Sequence, residues 1–277
     1  MKRKSSLGWS VVAVASALAL AALWIFPLLW AMSTALRPEY ETVAPVFHFF
    51  PQHWTLEAFA KVLRAGNVPR WLFNSALVAL LVAAVTMALS LMAAYAFSQL
   101  RFKGRQLLFM VTMLAFLLPF EALLVPLFRM MNQLGLINSY AGIVLPQVVS
   151  PVVIYVFKQF FDAIPADFRE AAVIDGAGPL RVLWTVYLPI SSNIVWAMAI
   201  VTFIGAWNNF LWPFIIVTSS DMMTIPLGLT QTYDAFGVRY AQLMAAALLG
   251  AFPVGLAYVL FQRRVAQGFL AASGLKG

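Results

Sequence analysis

Glu170-Ala171-Ala172-Val173-Ile174-Asp175-Gly176, followed shortly by Tyr187-Leu188-Pro189, is the stretch on which the fold turns. It lies in the longest charged interval interrupting the second half of an otherwise apolar chain. Ile164-Pro165 stops whatever apolar helix precedes it. Asp167 is placed to cap a new helix, with Glu170 three residues on in capping-box spacing. That helix is expected to run to about Asp175, with Gly176 as its left-handed C-cap. Gly178-Pro179 opens a second short helix through Val186, Pro179 taking the favoured first-turn position, and Leu188-Pro189 leads into the next apolar run. Phe168, Ala171 and Ala172 share a face, and the alanines let that face approach a partner closely. Two readings of this helix-turn-helix fit: a plain interfacial connector, or a docking element.

The composition fixes the setting. Of 277 residues 63% are hydrophobic and 10% charged, against roughly 25% charged in a soluble domain. The chain is an all-α integral membrane protein by this measure. With no cysteine, thiol and disulfide chemistry are excluded. The net charge of +8 does not indicate nucleic acid, because the basic residues cluster at the ends of apolar runs. Met1-Lys2-Arg3-Lys4 begins like a secretion signal, but the uncharged run Leu7–Leu36 far exceeds the roughly 7–15 residues of a signal core. It reads as an uncleaved first span.

Six segments have the length of about 20 apolar residues that a membrane helix needs: 10–33, 72–97, 107–127, 140–160, 190–217 and 241–261. An even number puts both termini on one side. That side carries Lys2, Arg3, Lys4, Arg101, Lys103, Arg105, Lys158, Arg169, Arg181, Arg263, Arg264 and Lys276, 12 of the 18 basic residues. The positive-inside rule makes it the cytoplasm, so the Glu170 loop between spans four and five is cytoplasmic too. The whole chain reads as one membrane domain, 1–277, with a core of about 70–262 and an extra N-terminal span of about 10–33.

The long opposite loop, Arg37 to Arg70, holds a short helix. Thr55 is placed to cap it, Leu56, Phe59, Ala60 and Leu63 to form one face, and Glu57 to pair with Lys61 at i,i+4. His48 and His53 in this loop have no acidic or cysteine partner at ligand spacing, so they read as surface residues and no metal site is expected. Within the spans, Asn208 and Asn209 are polar amides flanked by Trp207 and Trp212. Amides beside aromatic faces suit a sugar, whose C–H faces stack while its hydroxyls need donors and acceptors. The same residues also fit a plainer role, an interfacial tryptophan belt and an asparagine joining two helices. Glu121 is an acid inside a span, between Pro119 and Pro126, where the helix is expected to bend. It can line a path, carry a proton, or bridge to Arg129 or a partner. Gln147, beside Pro146, is a further path candidate.

Glu-Ala-Ala, a glycine six residues after the glutamate, and then Leu-Pro resemble the EAA loop of binding-protein-dependent ABC transporter permeases. The matching residues here are Glu170, Ala171, Ala172, Gly176, Leu188 and Pro189, with Ile164-Pro165 and Asp175 in keeping and Val186 a mild departure. Asn74-Ser75, Gly135-Leu-Ile-Asn-Ser139, Trp207-Asn-Asn-Phe-Leu-Trp-Pro213, Thr224-Ile-Pro-Leu-Gly-Leu229, Gln267-Gly268 and Gly274-Leu-Lys-Gly277 extend the resemblance to the carbohydrate-uptake branch, the maltose-type second permease. The resemblance implies that Glu170, Ala171, Ala172, Asp175 and Gly176 form a coupling helix seated in a groove of an ATPase subunit. It implies as partners a second homologous permease, an ATPase dimer and a periplasmic or extracellular solute-binding protein, with lipid around the spans. ATP and Mg would sit on the ATPase, leaving this chain without a cofactor. The implied location is the bacterial inner (plasma) membrane.

The sequence has no Gly-x-x-x-x-Gly-Lys-[Ser/Thr], no Gly-x-Ser-x-Gly and no His-Glu-x-x-His. No catalytic residue is therefore nominated. The expected function is a permease subunit of an ATP-driven sugar importer. The alternative is a self-sufficient secondary transporter with Glu121 as proton carrier.

Overall fold

A computed structural model describes the backbone of residues 7–46, 48–64, 67–231, 233–234 and 237–272, and side chains within 12–262. Lys2, Arg3, Lys4, Lys276 and the 274–277 tail fall outside the described residues, as do the side chains of Arg263, Arg264 and Gln267. Among the described residues the regular structure is helical, apart from a two-residue antiparallel ribbon, β1 (Tyr233–Asp234) with β2 (Gly237–Val238). In order come α1 (Leu7–Ala35), α2 (Glu39–Thr42), α3 (Glu57–Arg64), α4 (Asn67–Gln99), α5 (Arg105–Ala115) and α6 (Phe120–Gln133). Then follow α7 (Tyr140–Val144), α8 (Pro151–Asp162), α9 (Ala166–Ile174), α10 (Pro179–Val182) and α11 (Leu188–Ile190). The rest are α12 (Ser192–Trp207), α13 (Leu211–Ile216), α14 (Ile225–Gly228) and α15 (Tyr240–Ala272).

Three of these, α1, α4 and α15, are single helices long and apolar enough to cross a membrane. Three further candidates are bent pairs: α5 with α6 at 101°, α7 with α8 at 48°, and the segment from α10 to α11 with α12 at 87°. The first break follows from Pro119, which takes an extended conformation and starts α6. The third bend falls at the start of the expected 190–217 span and does not divide it, but that span is still not one uninterrupted helix. The chain turns at Ser191 and breaks again around Asn208–Phe210. The second short helix does not end at Val186. It passes through a π-turn at Leu183–Tyr187 and carries Leu188-Pro189 inside its last turn.

Two compact units result. One takes in the chain up to Pro69 with Leu229–Ala251; the other takes in Arg70–Gly228 with the chain from Phe252 on. In the first, the apolar stretch of α1 from Val12 to Ala35 is exposed nearly throughout. A helix apolar all round and bare all round is stable only where lipid solvates it. Arg37 is buried, its guanidinium donating to the carbonyls of Ser33, His48 and Phe49. Glu39 accepts from the backbone N–H of Ala241 at the start of α15, a favourable site for a carboxylate. In α3, Thr55 Oγ1 accepts from the Glu57 amide and Lys61 pairs with Glu57 at 2.6 Å, as the spacing predicts. Its buried face is Ala58 and Val62, however, and Leu56 and Leu63 point outward.

The core of the second unit is a set of helical stripes: Met87, Leu91, Ala94 and Tyr95 of α4; Val153, Phe157 and Phe161 of α8; Ile194, Ala197 and Met198 of α12. Steps of three, four and seven put each set on one face. Small residues Ala83, Thr86, Ser90 and Ala94 run along α4 on its buried side, which lets neighbouring backbones close in as membrane helices do.

Candidate functional site

Two places in the Arg70–Gly228 unit concentrate the candidate residues, and they differ in character.

The first is α9. Pro165 occupies the N-cap and Ala166 the first helical position, so the helix starts ahead of Asp167. Asp167 therefore makes no capping bond; it lies in the first turn, where a carboxylate still suits the helix dipole. The C-terminus matches its expectation. Gly176 has φ +81°, its N–H bonds the Val173 carbonyl at 3.0 Å, and the Ala177 N–H reaches back to Ala172 at 2.9 Å. This 6→1 and 5→2 pair is a Schellman cap. Ala172 and Ala177, which the cap brings together, pack against the core. The opposite side is bare: Phe168, Val173 and Ile174 are all exposed, Ile174 at 85%, and Glu170, Ala171 and Asp175 are exposed too. The helix thus rests on its small residues and presents its large apolar ones.

The base on which α9 rests is cross-linked. Asp162, at the end of α8, accepts from Ser98 and from Lys158, each at 2.6 Å, and Gln99 donates to the Phe161 carbonyl. The ends of α4 and α8 are therefore held together directly beneath the loop. Arg169, which sequence reasoning used only for counting charge, is half-buried where its neighbours Phe168 and Glu170 are exposed.

The second place is a cavity of about 560 Å3 between α4, α6, α8 and α12. Gln147 and Asn209 meet on its wall, the Asn209 amide donating to Gln147 Oε1 at 2.6 Å. Asn209 Oδ1 accepts from the Trp212 backbone N–H, and Gln147 donates to the Ile143 carbonyl. Ser150 and Thr202 add hydroxyls, and Phe120 adds a ring. None of the lining side chains is ionisable. Sequence reasoning missed Ser150, Thr202 and Phe120. A usable signal existed for α12: Met198, Thr202, Gly205 and Asn209 recur at steps of four, three and four, one stripe of a helix.

The other candidates lie apart from this cavity. Trp207 is 3% exposed and Trp212 fully buried, with its indole N–H bonded to the Gly142 carbonyl at 3.0 Å. Neither ring has a face free for a solute, so the stacking role the sequence suggested for them does not fit. Asn208 points away from Asn209 and bonds the Ile204 carbonyl within its own helix, as a turn of 100° per residue demands. Glu121 is exposed in the first turn of α6, just after the break. Among the described residues it forms no ion pair, with Arg129 or otherwise.

A family model described as "binding-protein-dependent transport system inner membrane component" matches residues 86–270. The arabinooligosaccharides transport system permease protein AraQ of Halalkalibacterium halodurans is 33% identical over the whole of both chains. The sulfoquinovosyl glycerol transport system permease protein SmoH of Agrobacterium fabrum is 34% identical over 91% of this chain and 89% of its own. The lactose transport system permease protein LacG of Rhizobium radiobacter is 32% identical over 93% and 94%. The fold is shared with a chain from the crystal structure of a bacterial ABC transporter involved in the import of the acidic polysaccharide alginate. The TM-score is 0.85 at 19% identity, covering 95% of this chain and 98% of that one.

Proposed function

This chain belongs to the binding-protein-dependent transport system inner membrane components, and from that membership we propose how it works: as one of two homologous permease subunits of an ATP-driven importer for a sugar or sugar derivative. The chain is a transport permease; the rival reading, a lone proton-coupled carrier, loses ground with the family. It loses more with Glu121, which lies on the outside of the chain rather than in an enclosed relay. In this proposal the bent pairs each count as one span, giving six, with both termini and α9 in the cytoplasm of a bacterial inner membrane. The core of about 70–262 and the N-terminal span of about 10–33 act as one permease domain. A dimeric ATPase below binds ATP and Mg, and a solute-binding protein outside delivers the solute.

The observation carrying this reading is α9 itself. A nine-residue helix is too short to be stable alone. It is held by a Schellman cap and an alanine face, and it displays Ile174, Val173 and Phe168 to the surroundings. Such a tip is suited to a cleft in another protein. Glu170, Ala171, Ala172, Asp175 and Gly176 would form the docked helix, so that closure of the ATPase on ATP moves it and rocks the spans.

The path would pass the Gln147–Asn209 wall. Its neutral amides and hydroxyls suit an uncharged polyol or saccharide, since a charged group would be desolvated there without a partner. Arabinooligosaccharides and lactose, the solutes named for two relatives, are of that kind. The test is uptake and ATP hydrolysis by the assembled complex in proteoliposomes. Gly176→Val strains a left-handed position by roughly 1–2 kcal/mol without meeting a neighbour. It, and Glu170→Ala, should insert normally while ATP hydrolysis no longer drives uptake. Normal coupling in both variants would remove the assignment.

A further inference from the structure

We infer that the pocket walled by the end of α1, the segment after it and the start of α15 is an outer receiving site for a neutral saccharide unit, read by the guanidinium of Arg37. The inference rests on the importer reading, which puts this end of α1 outside. It adds a second sugar contact, in the other compact unit from the Gln147–Asn209 wall.

The pocket has a volume of about 310 Å3, at the lower end of the roughly 300–1,000 Å3 of small-molecule sites. Arg37 lines it and is only 6% exposed. Its Nε and Nη2 are engaged by the carbonyls of Ser33, His48 and Phe49 and by the Ser33 hydroxyl. Among the described residues Nη1 makes no hydrogen bond and the charge has no ion pair. A guanidinium so deep, with two N–H groups unused, is costly to leave without an acceptor. Thr34 lines the same pocket, and its buried hydroxyl also has no partner among the described residues.

Glu41, on the same wall, decides the class of ligand. Its carboxylate accepts from the His53 ring and from the Gln52 and His53 amides. With about four lone-pair sites on a carboxylate, room remains for one more donor. An anion in the pocket would meet that negative charge. It would also lack the paired edge by which arginine grips phosphate, because Nε and Nη2 are already taken. A sugar hydroxyl both accepts and donates, so one uncharged ligand can satisfy Nη1 and Glu41 together. Trp30 and Tyr240, also on the wall, bring aromatic rings to its C–H groups.

The chain has no native cysteine, so a single cysteine at Ala44, an exposed residue lining the pocket, reports its occupancy. The full transporter in right-side-out vesicles is treated with a membrane-impermeant thiol reagent, alone and with lactose, L-arabinose or inorganic phosphate. At about 50 mM sugar and an affinity of about 10 mM, at least one of the two sugars should slow modification about sixfold. Phosphate should not. Slowing by phosphate instead, or by none of the three, overturns the inference. Arg37→Lys keeps a cation for the inner carbonyls but removes Nη1, and should abolish the slowing. Val46→Trp fills the pocket from an exposed position and should abolish it too, which decides the matter if Arg37→Lys fails to insert. Full slowing retained in either variant also overturns the inference. Modification in inside-out vesicles only would put the pocket in the cytoplasm and remove the importer topology itself, a failure distinct from the loss of sugar protection alone.

Discussion

α4 joins two ends of one unit that are built in opposite ways. At its start, Asn74 is fully buried, donating to the carbonyls of Asp221 and Met223 at 2.8 Å each and accepting from the Tyr140 hydroxyl at 2.6 Å. Ser75 accepts from the Ile225 amide, and Trp71 donates to the Ser220 carbonyl. Nearby, Asn138 sits at φ 55° and its side-chain oxygen takes the amides of Thr218 and Ser219. A side chain on Gly228 would fall inside the Trp71 ring, and one on Gly142 would meet the Leu136 carbonyl. Directional polar bonds over-determine that end. At the other end the polar bonds of Ser98, Gln99 and Lys158 tie α4 to α8, but α9 itself lies on alanines with its large apolar residues outward. The difference teaches where motion can enter: a knotted end serves as a fixed hinge, and an end seated on smooth contacts can be displaced.

Substitutions can break this comparison, starting with the largest expected effect. Asn74→Ala strands two carbonyls and a hydroxyl in the knot, which should cost about 3 kcal/mol or more. Thermal melting in detergent should fall steeply, or the protein should fail to insert. A wild-type melting point would mean the knot is not the rigid end. Ile174→Glu should leave melting unchanged but weaken association with the ATPase by about 10–100-fold, given roughly 1.5–3 kcal/mol for burying an isoleucine. Titrating ATPase onto the solubilised permease checks it, and unaltered affinity would remove the tip from the interface.

Asn209→Leu removes the amide that faces Gln147 and should lower solute uptake by about tenfold while assembly is kept. Normal uptake would return both residues to a purely structural role. The smallest effect is in the outer loop. Burial alone would raise the Glu41 carboxyl, but bonds from the His53 ring and from the backbone amides of Gln52 and His53, with the His53 charge, hold it below the usual range. A depressed folded value means stability that is present above the unfolded value and lost as pH falls through the folded one. Amide exchange at 39–53 should thus speed up only at acid pH below the ordinary carboxylate range, and Glu41→Gln should flatten that dependence.

Much of this was readable from local chemistry. The unbroken spans, the Gly176 cap, Pro179 at its first turn and the break at Pro119 each follow from a residue whose backbone preference dominates its neighbourhood. The failures came where a distant partner decided. Asp167 lost the cap to Pro165, which ends the preceding segment two residues earlier. Trp207 and Trp212 looked like free aromatic faces beside amides, but the Gly142 carbonyl and the surrounding core had already claimed them. His53 had no acid at short spacing; the fold supplies Glu41 across the loop at 2.8 Å. The Gln147–Asn209 contact spans 62 residues, and the Trp212–Gly142 bond spans 70. No periodicity encodes pairings of that kind.

The chain has no cysteine, which makes the decisive measurement simple. A single cysteine at Ile174, in the assembled transporter, is labelled with a short thiol-reactive photo-cross-linker in inside-out and right-side-out vesicles and then irradiated. The account predicts a covalent adduct with the ATPase subunit, blocked by a membrane-impermeant thiol reagent only in inside-out vesicles. Blocking in right-side-out vesicles instead, or the absence of any adduct from a complex that still hydrolyses ATP, would contradict it.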